Sequence, residues 1–350
     1  MEASMRVRVV LILGVLASTG VRLAAHDFWL AATPWQPESS VTITANIGEI
    51  FPVPTDQVIP RGVERWRLYG PGGEITGDHE FRRDGLTLAA DVVLPVPGAY
   101  LATVTTAASV EEMKGPWFNS YLAEEGLDWV VTARRAAGVS EEPATERFAR
   151  YAKIVLRNGF GSGAHLTRPL GLRAEFVPMT DPTILRAGHL LTLQLLSDGK
   201  PVPGAVVTAR ASAGGHPIVG RTDAAGHVTL PIDRDGAWLV RTVHMIPGLQ
   251  AGVPGVEWDS YWVTLAFHTA PIDVGRRRLT QFKNCDRARH PFGVDSGNDF
   301  SATQTINGKP PLRQPHVVTA FVASSTTRTS VSVAPTARSR SPTCRRGSRR

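Results

Sequence analysis

Apolar and polar positions change rhythm several times along this chain. A nearly unbroken apolar run, Val9–Ala17, follows Arg6 and Arg8 and gives way to Leu23-Ala24-Ala25. A basic start, a short apolar run and a small-residue end are the layout of a secretory leader cut after Ala25. The run is shorter than the ~20 residues a membrane span needs. Short alternating runs come next: Phe28–Ala32, Val41–Ile47, Arg65–Tyr69, Leu86–Val93 and Ala99–Thr105. Pro34, Pro37, Pro52-Val53-Pro54, Pro71-Gly72-Gly73 and Pro97-Gly98 punctuate them. Alternation bounded by turn residues predicts strands.

Between 117 and 158 the period lengthens. Phe118, Tyr121, Leu122, Glu125 and Val130 fall at helical spacing, and Gly138 stands where a helix stops. A second stripe of Phe148, Tyr151, Ala152, Val155 and Leu156 predicts another helix over Thr145–Arg157, ending at Asn158-Gly159. The loop Gly159-Phe160-Gly161-Ser162-Gly163 then reads as an inter-domain linker. Strand-like runs return at Leu190–Leu196, Ala205–Ala211, His216–Arg221, His227–Pro231, Trp238–His244 and Tyr261–Phe267, with Asp198-Gly199 and Asp235-Gly236 as hairpin signals.

The expected fold is therefore mainly β, with two immunoglobulin-like β-sandwich domains, a helical excursion between them and a disordered C-terminal tail. The expected divisions are a leader (1–25), an N-terminal sandwich (26–110), the excursion (111–160), a C-terminal sandwich (170–270) and a basic low-complexity tail (275–350).

Charge sharpens these divisions. The chain of 350 residues carries +7, but residues 276–350 hold 15 Lys+Arg against 3 Asp+Glu. That is +12 in the tail and +2 in the leader, which leaves −7 for 26–275. A mildly acidic body attracts cations and disfavours nucleic acid. The tail reads either as a partner-binding extension or as the product of an out-of-frame stretch. Both cysteines, Cys285 and Cys344, lie within it. The body thus has no disulfide and no thiolate site, and any metal in it must be held by nitrogen, oxygen or thioether donors.

The phrases His26-Asp27-Phe28-Trp29-Leu30, Phe118-Asn119-Ser120-Tyr121-Leu122, Arg150-Tyr151-Ala152-Lys153, Asp198-Gly199-Lys200-Pro201, His244-Met245 and Trp258-Asp259-Ser260-Tyr261-Trp262 occur in this order. Together they resemble a bacterial periplasmic family of unknown biochemical function, often labelled as nickel or cobalt uptake components. The resemblance implies a periplasmic, non-enzymatic protein that binds a nickel or cobalt ion and works beside a membrane metal transporter. It also carries His244-Met245 as a unit.

A cut after Ala25 gives His26 a free α-amine beside its imidazole, a chelating pair for a divalent transition ion. No His-x-x-x-His or His-Glu-x-x-His spacing occurs, so a second ligand must come from another strand. The expected metal ligands are His26 and His244, with Asp27, Met245, Lys153 and Asp259 as further candidates. Copper is the alternative ion, because it binds such donors most tightly in the divalent series; a two-His copper oxidase is a more distant one. A third reading is a glycan- or protein-binding module using Trp238, Trp258, Tyr261 and Trp262. No nucleophile elbow, P-loop or dinucleotide fingerprint is present.

Overall fold

The computed structural model describes residues 26–59, 62–77, 80–252 and 254–269. The leader and the tail lie outside the described residues, as does His79. The first half contains β1 (Asp27–Thr33), β2 (Ser40–Gly48), β3 (Val63–Gly70), β4 (Gly73–Ile75), β5 (Arg82–Asp84), β6 (Thr87–Val93), β7 (Gly98–Thr106) and β8 (Ser109–Met113). Two helices follow, α1 (Gly115–Glu124) and α2 (Asp128–Ala136). The second half contains β9 (Ala144–Asn158), β10 (Ala174–Pro178), β11 (Leu190–Ser197), β12 (Lys200–Pro201), β13 (Val206–Ala211), β14 (Ile218–Arg221), β15 (His227–Pro231), β16 (Ala237–Pro247) and β17 (Trp258–His268).

The mainly β class with one helical excursion is what the fold has, but its two sandwich halves share a sheet. Nine strands form that sheet, in the order β14-β13-β16-β17-β9-β7-β3-β4, with β8 also on β9. One face is covered by the sheet β1-β2-β6-β5 and the other by β10, β11, β12 and β15. Alternate residues of the central strands serve the two covers. Tyr100, Ala102 and Val104 of β7 and Ile154 and Leu156 of β9 face the N-terminal sheet. Ala99, Leu101, Val155, Val263 and Leu265 face the opposite cover. The divisions expected near 110 and 160 therefore do not separate independent sandwiches.

This arrangement explains the one element misread outright. Thr145–Arg157 is strand rather than helix, paired antiparallel with β7 and β8 and parallel with β17. A strand buried on both faces loses its two-residue alternation. Its apolar residues then fall on both faces, and Phe148, Tyr151, Ala152, Val155 and Leu156 mimic an i, i+3, i+4 stripe by chance. The real excursion is shorter, α1 and α2 only, and Gly126 divides it. Gly126 has φ 67°, and a Cβ there would lie 2.5 Å from Val206 Cγ2. Gly138 ends α2 at φ 73° as its position suggested. The helices pack on the same face as the N-terminal sheet, burying Phe118, Leu122 and Val130 against Val243, Met245, Trp258 and Trp262. The Gly159–Gly163 stretch is a loop closing β9 rather than a linker between bodies.

One buried ion pair crosses this core. The Lys153 Nζ donates to Glu175 Oε2 at 2.5 Å and to the Phe176 carbonyl at 2.8 Å, all buried. Burial pushes the Lys153 ammonium below its ordinary range, with Glu175 opposing. Glu175 in turn accepts from the Leu170, Gly171 and Leu172 amides. Lys153 is thus a structural cation, its donors spent on the fold. Lys153→Ala leaves a buried carboxylate without its cation and is expected to lose about 3–5 kcal/mol. Lys153→Met combined with Glu175→Gln is expected to fall closer to the parent. Urea unfolding of both variants measures this, and a single-variant loss below roughly 1 kcal/mol would show that the pair is dispensable.

Candidate functional site

His26 stands immediately before β1. Asp27 pairs across the ladder with Gly48, so the backbone register brings His26 beside Glu49. The chain after β2 then folds back: the Thr55 and Asp56 amides both donate to the Ile47 carbonyl, at 2.9 and 3.1 Å. Gly48 allows this close return, since a Cβ there would lie 2.6 Å from the Val53 carbonyl. The result is an imidazole between two carboxylates. His26 Nδ1 lies 2.5 Å from Asp56 Oδ2, and Nε2 lies 3.4 Å from Glu49 Oε1. Nε2 is buried from solvent and has no hydrogen-bond partner. Asp56 and Glu49 thus face opposite nitrogens of one imidazole ring, and both carboxylates remain half-exposed. Sequence reasoning missed Asp56 and Glu49, because only the β1–β2 pairing and the return of the 49–56 loop bring them to His26.

His244 is not there. It sits on the face of β16 opposite the N-terminal sheet, with its ring 5.9 Å from Tyr261. Burial pushes its imidazole down to about 4, with Asp198 opposing, so it is neutral across the physiological range. It lines a groove of about 520 Å³ with Trp129, Asp198 and Gln250. Met245 points the other way, buried under the helices. β16 continues to Pro247, so His244 and Met245 cannot turn toward one ion, and the expected His26–His244 pair is not assembled.

The remaining candidates are engaged elsewhere. Asp27 is buried and ion-paired with Arg241, whose Nη2 also holds both oxygens of Glu125 at 2.7 Å. Burial raises the Asp27 carboxyl and Arg241 lowers it, with a net upward shift. Burial alone disfavours the Arg241 cation, but Asp27 and Glu125 outweigh it and hold the guanidinium firmly charged. Arg241 therefore ties β1 to the end of α1. Asp259 accepts from Arg147 at 2.7 and 3.0 Å and from the Tyr261 hydroxyl at 2.6 Å. Trp238, Trp258, Tyr261 and Trp262 are all buried, which removes the aromatic face proposed for a glycan. Among the described residues no group of three or more His, Cys, Asp or Glu is arranged to hold a metal ion, and no helix is long and apolar enough to cross a membrane.

Beside Arg241 a second buried polar group joins the helices to the central sheet. Glu146 accepts from the Tyr121 hydroxyl at 3.0 Å and from the Ser260 hydroxyl. Tyr121 stacks on Trp262, with the rings 5.8 Å apart and 2° from parallel. Arg150 lies over Phe148 and Trp262, at 4.9 and 5.9 Å.

Residues 23–246 match the family described as a domain of unknown function (DUF4198). The chain belongs to that family. The match ends at Ile246, inside β16, and so contains His26, Glu49, Asp56, Arg241 and His244 while β17 follows it. A search of curated proteins gives no match. Among solved structures, a tetra-tandem repeat from the extending region of a large adhesion protein aligns at 10% identity over 69% of this chain and 49% of that one, with a TM-score of 0.17. The mouse nectin-like molecule 4 ectodomain (Ig1–Ig3) aligns at 11% identity over 70% of this chain and 66% of that one, with a TM-score of 0.16. TM-scores this low carry no argument about architecture or function.

Glu146 is expected to make the stability of this chain depend on pH in a defined direction. Burial pushes its carboxyl from the ordinary 4.5 up to about 7, against the lowering effect of the Ser260 and Tyr121 hydrogen bonds. The native chain then keeps a proton that the unfolded chain has lost. This group's contribution to stability therefore declines as pH rises from about 4.5 to about 7. Glu146→Gln keeps an acceptor oxygen and has no charge to bury. It is expected to be more stable than the parent at pH 8, by on the order of 3 kcal/mol, and to match it at pH 4. Thermal or urea unfolding across that range decides, and parallel profiles for the two chains would exclude Glu146 as the source.

Proposed function

We propose that the protein is exported to the periplasm, is cut after Ala25 and binds a divalent transition ion, nickel or cobalt, as cargo in metal uptake or handling. Its role is binding rather than catalysis, and a membrane transporter is the partner that would receive the ion. The observation that carries this reading is the setting of His26, whose two ring nitrogens face the carboxylates of Asp56 and Glu49. The α-amine released by the cut would add a second nitrogen on the same residue. The donors on the Nδ1 side fit a borderline divalent ion: the α-amine, Nδ1 and the Asp56 carboxylate, with no thiolate, while Glu49 faces the opposite ring nitrogen and would orient the ring from outside. Asp56 holds Nδ1 by a hydrogen bond, so an amine–Nδ1 chelate must displace that bond, leaving the Asp56 carboxylate beside the ion as a further donor. Copper is the second reading, since Cu²⁺ binds nitrogen and oxygen donors more tightly than Ni²⁺ or Co²⁺.

The test is a calorimetric titration of chain whose first residue is His26, with Ni²⁺, Co²⁺, Cu²⁺ and Zn²⁺ in turn. Saturable one-to-one binding is expected. One alanine added ahead of His26 should weaken it about a hundredfold, Asp56→Asn should weaken it about tenfold, and His244→Ala should leave it unchanged. Equal affinities with and without the added alanine would remove the amine, and with it this reading. Metal analysis of chain recovered from the periplasm separates cargo nickel or cobalt from copper, because affinity alone favours copper in any such site.

A further inference from the structure

The described residues form a second cleft at the far end of β1, unrelated to the metal reading. Its volume is about 460 Å³, within the range of small-molecule pockets. Trp35 and Pro37 from the β1–β2 connection line it together with Pro97, Asn158 and Phe160. Trp35 lies with its ring 6.0 Å from that of His268, at 34°.

Phe160 is the informative residue. Its side chain is 58% exposed, yet the loop that carries it is tightly fixed. Gly159 turns the chain at φ 58°, and a Cβ on Gly161 would run into the Pro97 carbonyl. The Ala99 amide donates to the Ser162 carbonyl at 3.0 Å, and Arg157 Nη1 donates to the Gly161 carbonyl at 3.2 Å. The fixed loop holds the ring exposed in the lining of the cleft that Trp35 also lines, at the expense of apolar exposure.

The polar groups of the cleft define the ligand's charge. Arg157 is neutralised by Asp181 and also donates to Thr183 Oγ1 at 2.7 Å. The Asn158 Nδ2 donates to the Leu94 and Val96 carbonyls, at 3.0 and 3.3 Å, which leaves its carboxamide oxygen as an acceptor. Glu38 adds a carboxylate to the rim. Nothing here offers an unpaired cation to an anion. Two aromatic rings with a carboxamide oxygen and a carboxylate at their edge suit a ligand with one C–H face and a rim of hydroxyl donors. The geometry points to a neutral saccharide, with a pyranose ring seated against Trp35 and Phe160.

The experiment uses the full chain in excess EDTA, so that its outcome is independent of any metal site. Saturation-transfer NMR and calorimetry are run with cellobiose, maltose, lactose and N,N′-diacetylchitobiose, followed by a neutral-glycan array. Saturable binding of at least one saccharide is expected. Phe160→Ala should weaken it fivefold or more while leaving the unfolding midpoint unchanged. Trp35→Ala should abolish it, and Trp35→Phe should retain part of it. No saturable binding across the disaccharides and the array overturns the proposal, and so does equal affinity in Phe160→Ala. Occupation of the cleft by a proline-rich decapeptide, with no saccharide binding, would overturn it in favour of a peptide groove.

Discussion

The pairing of β9 with β17 is the constraint on which the rest of the fold depends. It is the parallel step in an otherwise antiparallel sheet, and because β9 pairs with β7 on its other edge it ties the strands of both halves of the chain into one layer. Covers on both faces then force β9 and β17 to be buried from both sides. Side chains that would face water in a simple sandwich must here be apolar or matched. Lys153 with Glu175 on one face, and Glu146 with Tyr121 and Ser260 on the other, follow from that demand. With no cysteine in the described residues, apolar burial carries the stability, at ~1.5–3 kcal/mol for each fully buried large side chain.

The same layer fixes the position of the N-terminal edge. β1 lies over β17, and the Thr264 hydroxyl donates to the Phe28 carbonyl at 2.8 Å. Arg241 on β16 then binds Asp27 and Glu125 together, locking β1 to the helices from the side. His26 is the residue just ahead of this anchor. Its imidazole is thus carried on rigid backbone, while the carboxylates facing it come from a short return loop.

Much of the fold was legible in the sequence, and each failure has a physical cause. The strands β1, β2, β3, β6, β7, β11, β13, β15, β16 and β17 are close to their expected positions, because turn residues bounded them. Thr145–Arg157 was misread because burial on both faces erases alternation. The short strands β4, β5 and β12 left too few positions to show any period. At the site, His26 could be read from its neighbours in sequence. Asp56 and Glu49 could not, since they reach it only through strand pairing and loop return. His244 was drawn in by its motif, but side-chain alternation along β16 sends it to the opposite face from β1. The aromatic residues expected to form a glycan face are core, and the exposed ring is Phe160, in a loop that read as a linker.

β1 also sets the relation between the two sites proposed here. His26 precedes it and Trp35 follows it, with seven strand residues between the two sites' ends. At about 3.3 Å per residue, the sites stand about 20 Å or more apart. An ion at His26 and a saccharide at Trp35 therefore share no ligand and no first neighbour. Any coupling between them would have to pass along β1 itself, which is clamped by β2 on one side and by Thr264 and Arg241 beneath. A strand held at so many points has no second arrangement to switch to. The two sites are thus expected to behave as independent binding functions on one scaffold, with occupancy of either leaving the affinity of the other unchanged.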